Sequence, residues 1–182
     1  MAEKFKALTE KHIGFIGNQH IFFVGTAASE GFVNVSPKGM DSFRVVNNSK
    51  VAWLNLTGSG NETAAHILEN NRMTIMFCSF DKQPLILRLY GHVKIIHPRD
   101  KDWPSQVKLF PEYTGARQIF ELNLELVQTS CGYAVPFYEL VGERPTLRKW
   151  ADNRGRKGVE EYWQEKNTKS LDGKDTGIIE TV

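Results

Sequence analysis

Between positions 51 and 78 the chain reads as strand, loop, short helix and strand, and the remaining elements have to be arranged around that unit. An apolar run, Val51-Ala52-Trp53-Leu54-Asn55-Leu56, passes into Thr57-Gly58-Ser59-Gly60-Asn61-Glu62-Thr63. A helical segment follows, Ala64-Ala65-His66-Ile67-Leu68, and then a second apolar run from Arg72 to Cys78. Gly58 and Gly60 let the loop backbone open and approach a ligand closely. Asn61 and Thr63 stand where the helix begins, so free N–H groups and side-chain donors point into one small space. A phosphate suits such a space. The same residues also suit a helix cap, with Ser59 as N-cap and Glu62 closing a capping box. The two roles are compatible.

The first segment carries Phe5, Leu8, His12, Ile13 and Ile16 at helical spacing, which predicts an amphipathic helix ending near Gly17. Residues 20–27 are β-branched and aromatic, hence a strand. Ser29-Glu30-Gly31 turns it into a hairpin partner over 32–36, which Pro37-Lys38-Gly39 stops. Further strands are predicted at 42–47, 51–56, 72–78, 85–97 and 122–129, with Gly91 at a bulge. Residues 100–109 and 147–166 read as helical. Short strands joined by tight turns, with few helices, predict a mainly β fold, an antiparallel barrel with flanking helices. It should form one domain over 1–166, with an N-terminal helix and a C-terminal helical extension. Residues 167–182 are polar and rich in Gly, Asp and Lys, so a flexible tail is expected there.

At 182 residues, 41% of them hydrophobic, the chain can bury one sizeable core. A net charge of +2 is too near balance to argue for nucleic acid or a membrane surface. No apolar run approaches membrane-spanning length. No apolar signal core follows the first residues, so the cytoplasm is the expected compartment. Cys78 and Cys131 lie far apart and the histidines show no ligand spacing, so no metal site is expected.

Three stretches resemble the pyridoxamine 5'-phosphate oxidase-like family of FMN-binding split barrels. Val33-Asn34-Val35-Ser36-Pro37-Lys38-Gly39 is similar to the family's strand ending in Lys-Gly beside the flavin. Residues 54–67, followed by Glu69-Asn70-Asn71-Arg72, resemble the strand, loop and helix that hold the ribityl phosphate. Leu87-Arg88-Leu89-Tyr90-Gly91-His92-Val93 resembles the next flavin-lining strand. The likeness runs from about His20 to Val127. It implies an antiparallel split barrel of FMN-binding type, FMN as cofactor, and a homodimer with each flavin between two chains. The cofactor-binding residues it implies are Val35, Ser36, Lys38, Gly39, Leu54, Asn55, Gly60, Asn61, Thr63, Arg88, Ser130 and Gly132.

The departures from that family are equally specific. Val33 stands where the vitamin-forming oxidases have Arg, Glu62-Thr63 where their phosphate loop has Arg-Lys, and Ile86 where a Gln nears the flavin ring. The residues that grip pyridoxal phosphate have no counterpart in 105–120, and the C-terminal Arg-Leu-His signature is absent. The chain therefore resembles a divergent relative and not a pyridoxamine phosphate oxidase proper.

Because Val33 and Thr63 lack the family's cations, Arg88 is the expected phosphate clamp; it lies mid-strand among Leu85, Ile86, Leu87 and Leu89, and a desolvated guanidinium needs a partner. A rim salt bridge is the plainer alternative. Lys38 at a strand end fits a surface lysine or a contact to flavin or substrate, where its charge could offset charge on a reduced ring. Residues 128–133 fit a tight turn or a contribution to a partner chain's flavin. Function is expected to be flavin-dependent oxidoreduction of a small substrate. Rival readings are a module that holds flavin or haem without turnover, and a deazaflavin-dependent reductase, whose anionic cofactor would call for more Lys and Arg than 58–63 provides.

Overall fold

The computed structural model describes residues 2–179. After β1 (Glu3–Phe5) come α1 (Glu10–Gly17), β2 (Phe22–Thr26), β3 (Asn34–Lys38), β4 (Phe43–Asn47) and β5 (Lys50–Leu56). They are followed by α2 (Glu62–Glu69), β6 (Arg72–Cys78), β7 (Leu85–Ile96), α3 (Trp103–Gln106) and a 3-10 turn (Val107–Leu109). β8 (Ala116–Cys131) and α4 (Thr146–Lys166) complete the order. Every strand pairing is antiparallel, in the order β3-β2-β6-β7-β8-β5-β4, with β1 added to β8. The edges β3 and β4 are not paired with each other, so the barrel is split. No described helix is long and apolar enough to cross a membrane.

Alternation along the strands builds the core. Trp53 and Phe120 stack with centroids 4.7 Å apart, and Phe22, Phe43 and Phe77 pack edge-on or tilted around them. β5 is buried on both faces. Val51 and Trp53 enter this main cluster, while Ala52 and Leu54 join Ile96, Phe110 and Ile119 in a second one on the other side. Gly91 lies where the register between β7 and β8 shifts, and a Cβ there would come within 1.9 Å of the Asn123 carbonyl oxygen. The bulge needs a glycine for that close approach.

The boundaries differ from expectation in three places. Residues 3–5 form a strand, because they pair with 127–129 at the end of β8, and the first helix begins only after the Thr9 N-cap. β8 starts at Ala116, not near 122, since 116–121 pair with both β5 and β7 or with β5 alone. Residues 167–179 are laid against the domain where a flexible tail was expected. Asn167 and Thr176 are fully buried and Ile178 packs with Ala151, Val159 and Trp163. Polar composition suggested fraying, but the polar groups find partners: Asn167 in the loop at 58–60, and residues 171–174 in α2 and the turn before β3. Residues 180–182 of the expected tail lie outside the described residues.

Candidate functional site

The loop after β5, the first turn of α2 and the inner side of β3 enclose a cavity of about 600 Å3, a volume within the usual range for small-ligand sites. Ser36, Lys38, Asn55, Gly60, Asn61 and Thr63 all border it, so six residues separated widely in sequence meet in one place. The pairing of β2 with β3 places Ser36 and Lys38 on one side of it, and Asn34 ties β3 to β2 and α2 by donating to the hydroxyls of Thr26 and Thr63, each at 3.1 Å. The capping box does not form. The helix begins at Glu62 with Asn61 as N-cap and no side-chain cap bond, so Glu62 occupies the first helical position and not the third. Its carboxylate instead accepts from the Leu171 N–H, at 3.1 and 3.0 Å.

Arg117 is the residue that sequence reasoning missed. It sits on β8 beside Gln118, which pairs with Asn55, and its side chain borders the same cavity at 3% exposure. Nη1 donates to the Gly60 carbonyl oxygen at 3.0 Å and to Asn167 Oδ1 at 2.6 Å. Both acceptors are neutral, and no carboxylate among the described residues pairs with the guanidinium. Burial pushes its pKa down to about 9. Arginine nonetheless keeps its proton in proteins, so the site carries an uncompensated buried cation. Such a charge is costly unless an anion joins it. A signal was present in the sequence: Arg117, with Gln118, stands between Ala116 and the apolar pair Ile119-Phe120, much as Arg88 interrupts 85–89.

Lys38 lies in the same electrostatic field. Burial first, and then the charge of Arg117, push its pKa down to about 8 from 10.5. Its Nζ stands 5.2 Å from the centroid of Trp53, whose ring face favours the charged form. Polar atoms around the cavity are buried without hydrogen-bond partners among the described residues: Ser36 Oγ, both amide atoms of Asn61 and Arg117 Nε. Native interiors rarely leave such groups unsatisfied. Together they offer hydroxyl, amide and guanidinium donors to an anionic group.

Lys38 also borders a second, larger cavity of about 890 Å3, with walls that include Phe80, Tyr138, Leu147 and Trp150 and with Arg144 at its rim. The two spaces thus meet at one lysine.

The other expected residues lie elsewhere. Gly39 borders the larger cavity, Leu54 is buried in the second core, and Val35 points outward at 68% exposure. Arg88 faces away from the core between Leu87 and Leu89, half-buried, and donates to Ser130 Oγ at 3.0 Å. It does not border the loop cavity. Gly132 passes close to the start of β7, where a Cβ would meet the Leu85 nitrogen at 3.0 Å.

Residues 8–131 match the family model described as pyridoxamine 5'-phosphate oxidase. Among curated proteins, the chain is 41% identical over 175 residues to the pyridoxamine 5'-phosphate oxidase family protein ustO of Aspergillus flavus, covering 85% of this chain and 70% of that one. Among solved structures, a HupZ protein of Group A Streptococcus superposes with a TM-score of 0.55 at 18% identity, covering 67% of this chain and 98% of the other. A protein from Lactobacillus delbrueckii described as a putative pyridoxamine 5'-phosphate oxidase gives 0.55 at 22% identity, covering 68% and 94%. At these identities the structural matches speak for the fold alone.

Proposed function

Since the chain belongs to the pyridoxamine 5'-phosphate oxidase family, we propose that it is an FMN-binding flavoprotein and a flavin-dependent oxidoreductase acting on a small substrate. The observation that carries this reading is Arg117, a buried guanidinium without a carboxylate, set beside a glycine-rich loop and unpartnered amide and hydroxyl groups. The phosphate of FMN supplies the missing anion there, with Asn61 and the loop amides as further donors. Bound flavin would supply the redox chemistry. Lys38, between the two cavities, holds positive charge where the ring would lie and so stabilises negative charge developing on it. The larger cavity, with its aromatic walls, takes the substrate.

A homodimer completes the reading. The edge strand β3 and the residue before it expose Val33 at 71% and Val35 at 68%, and Phe32 in the adjoining turn is 70% exposed. Apolar side chains clustered on an unpaired strand edge suit a second copy of the chain.

The test is a titration of the purified chain with FMN, followed by the absorbance spectrum and mass of whatever cofactor co-purifies. Flavin bound at one per chain, reduced by a nicotinamide donor and reoxidised by an acceptor, is the expected result. A chain that binds no flavin overturns the proposal, and flavin that binds but does not cycle reduces it to a carrier.

A further inference from the structure

We infer that the C-terminal strap, residues 166–174, closes the phosphate end of the cavity and restricts the site to a flavin that ends in a single phosphate. This rests on the flavin reading above and goes further, to which flavin the site accepts and what selects it.

Three sets of contacts place the strap there. At its root, Asn167 is fully buried and holds both halves of the anion site: Oδ1 accepts from Arg117, while Nδ2 donates to the carbonyl oxygens of Gly58 at 3.1 Å and Ser59 at 3.4 Å. In the middle, the Leu171 N–H is bound by the Glu62 carboxylate, which pins the backbone across the start of α2. Farther on, Lys174 pairs with Glu69 and Asp172 accepts from the Phe32 N–H at 3.1 Å, tying the strap to the far end of α2 and to the turn between β2 and β3. Thr176 then donates to the Asn167 carbonyl oxygen at 2.5 Å and Ile178 anchors in the apolar cluster around Trp163. The strap is thus held between buried Asn167 on one side and buried Thr176 and Ile178 on the other, and its middle borders the cavity.

The wall also brings cations to the cavity. Lys166 and Lys169 border it, along with Ser170 and Leu171. Each lysine currently rests on an exposed carboxylate, Glu165 and Asp175, at 2.8 and 3.3 Å. Exposed pairs of this kind hold weakly, so an entering phosphate can draw the lysines inward. This restores from the C-terminus the charge that Glu62-Thr63 withholds from the loop. A monophosphate ends at the wall. A second phosphate carrying a nucleoside would have to pass where the backbone of Ser170 and Leu171 runs, and would displace bonds to Glu62, Glu69 and the turn. The strap thus discriminates by exclusion as well as by attraction.

Fluorescence titrations of the full-length protein with FMN, FAD and riboflavin test this, beside a full-length variant carrying Glu62→Gln, Asp172→Asn and Lys174→Ala. The intact protein is expected to prefer FMN over FAD by about tenfold or more, and FMN over riboflavin by a similar factor. Loosening the strap should shrink the first ratio and leave the second largely in place, because Arg117 remains. A variant with an unchanged melting curve and an unchanged FMN-to-FAD ratio overturns the strap. Hydrogen exchange on the unmodified protein gives a second reading that needs no variant. FMN, but not riboflavin, should slow exchange at 168–173, and equal protection by both overturns the inference. An intact chain that binds none of the three flavins overturns the flavin reading itself, whereas FMN binding with an insensitive ratio overturns the strap alone.

Discussion

Arg88 and Arg117 look alike in the sequence and end in different physical situations. Each is a cation on a largely apolar strand, Arg88 among leucines and Arg117 beside Gln118 between Ala116 and Ile119, and each would be costly to bury without a partner. Arg88, on β7, turns outward, stays half-buried and settles on the Ser130 hydroxyl. Arg117, on β8, turns toward the loop at 58–61, loses nearly all its exposure and finds only neutral oxygens. The difference comes from strand register. β8 lies between β5 and β7, so a residue near its start is covered by the loop that follows β5 and by the strap. A charge signature in a strand therefore identifies a candidate, while the neighbours across the sheet decide whether the charge is a site.

The largest effect is expected at Arg117. Arg117→Met should lower FMN affinity by roughly tenfold to a hundredfold, corresponding to a charge-assisted contact of about 1.5–3 kcal/mol. Riboflavin affinity should change far less, since it has no phosphate. Equal losses for the two ligands would indicate general damage to the fold and remove Arg117 from the phosphate site.

Lys38→Met is expected to have a smaller effect on affinity and a clear effect on pH dependence. With a pKa near 8, Lys38 is charged below that pH and neutral above it. FMN affinity of the intact protein should fall as pH rises from 8 to 10, because the lysine loses the proton that attracts an anion, and the variant should show a flatter profile. Stability of the unliganded protein should move the other way. The folded pKa lies below the unfolded value of 10.5, so between about 8 and 10.5 the unfolded chain binds more protons and stability rises with pH. Denaturation across that window, with and without Lys38, checks the sign.

Arg88→Ala should have the least effect on FMN affinity, which reverses the order that the sequence suggests for Arg88 and Lys38. The comparison breaks if Arg88→Ala proves as damaging as Arg117→Met. That outcome would mean that a second chain carries Arg88 into the flavin site, and sedimentation at decreasing protein concentration should then show FMN holding the dimer together.

Much of the site is legible in the chain before folding. Gly58, Gly60, Asn61 and Thr63 are recognisable as a loop entering a helix, and Ser36 and Lys38 as polar positions at a strand end; the structure brings them to one cavity. The capping box was misleading because the helix begins at Glu62 itself, whose carboxylate then takes the Leu171 N–H, 109 residues away. The strap was invisible for a related reason. Its polar and glycine-rich composition is that of a tail, and nothing local records that Asn167 will find two loop carbonyls and a guanidinium.

The sequence by itself determined the mainly β antiparallel fold, the loop between β5 and α2, and the glycine at the β7 bulge. Period, turn chemistry and backbone freedom are properties of neighbouring residues, and they survive in any correct packing of the chain. Only the tertiary structure decided which arginine faces the loop and what covers it. Those outcomes depend on burial and on partners remote in the chain, Gly60 and Asn167 lying 57 and 50 residues from Arg117. A guanidinium becomes an anion site only once water has been excluded around it and no carboxylate has taken its place.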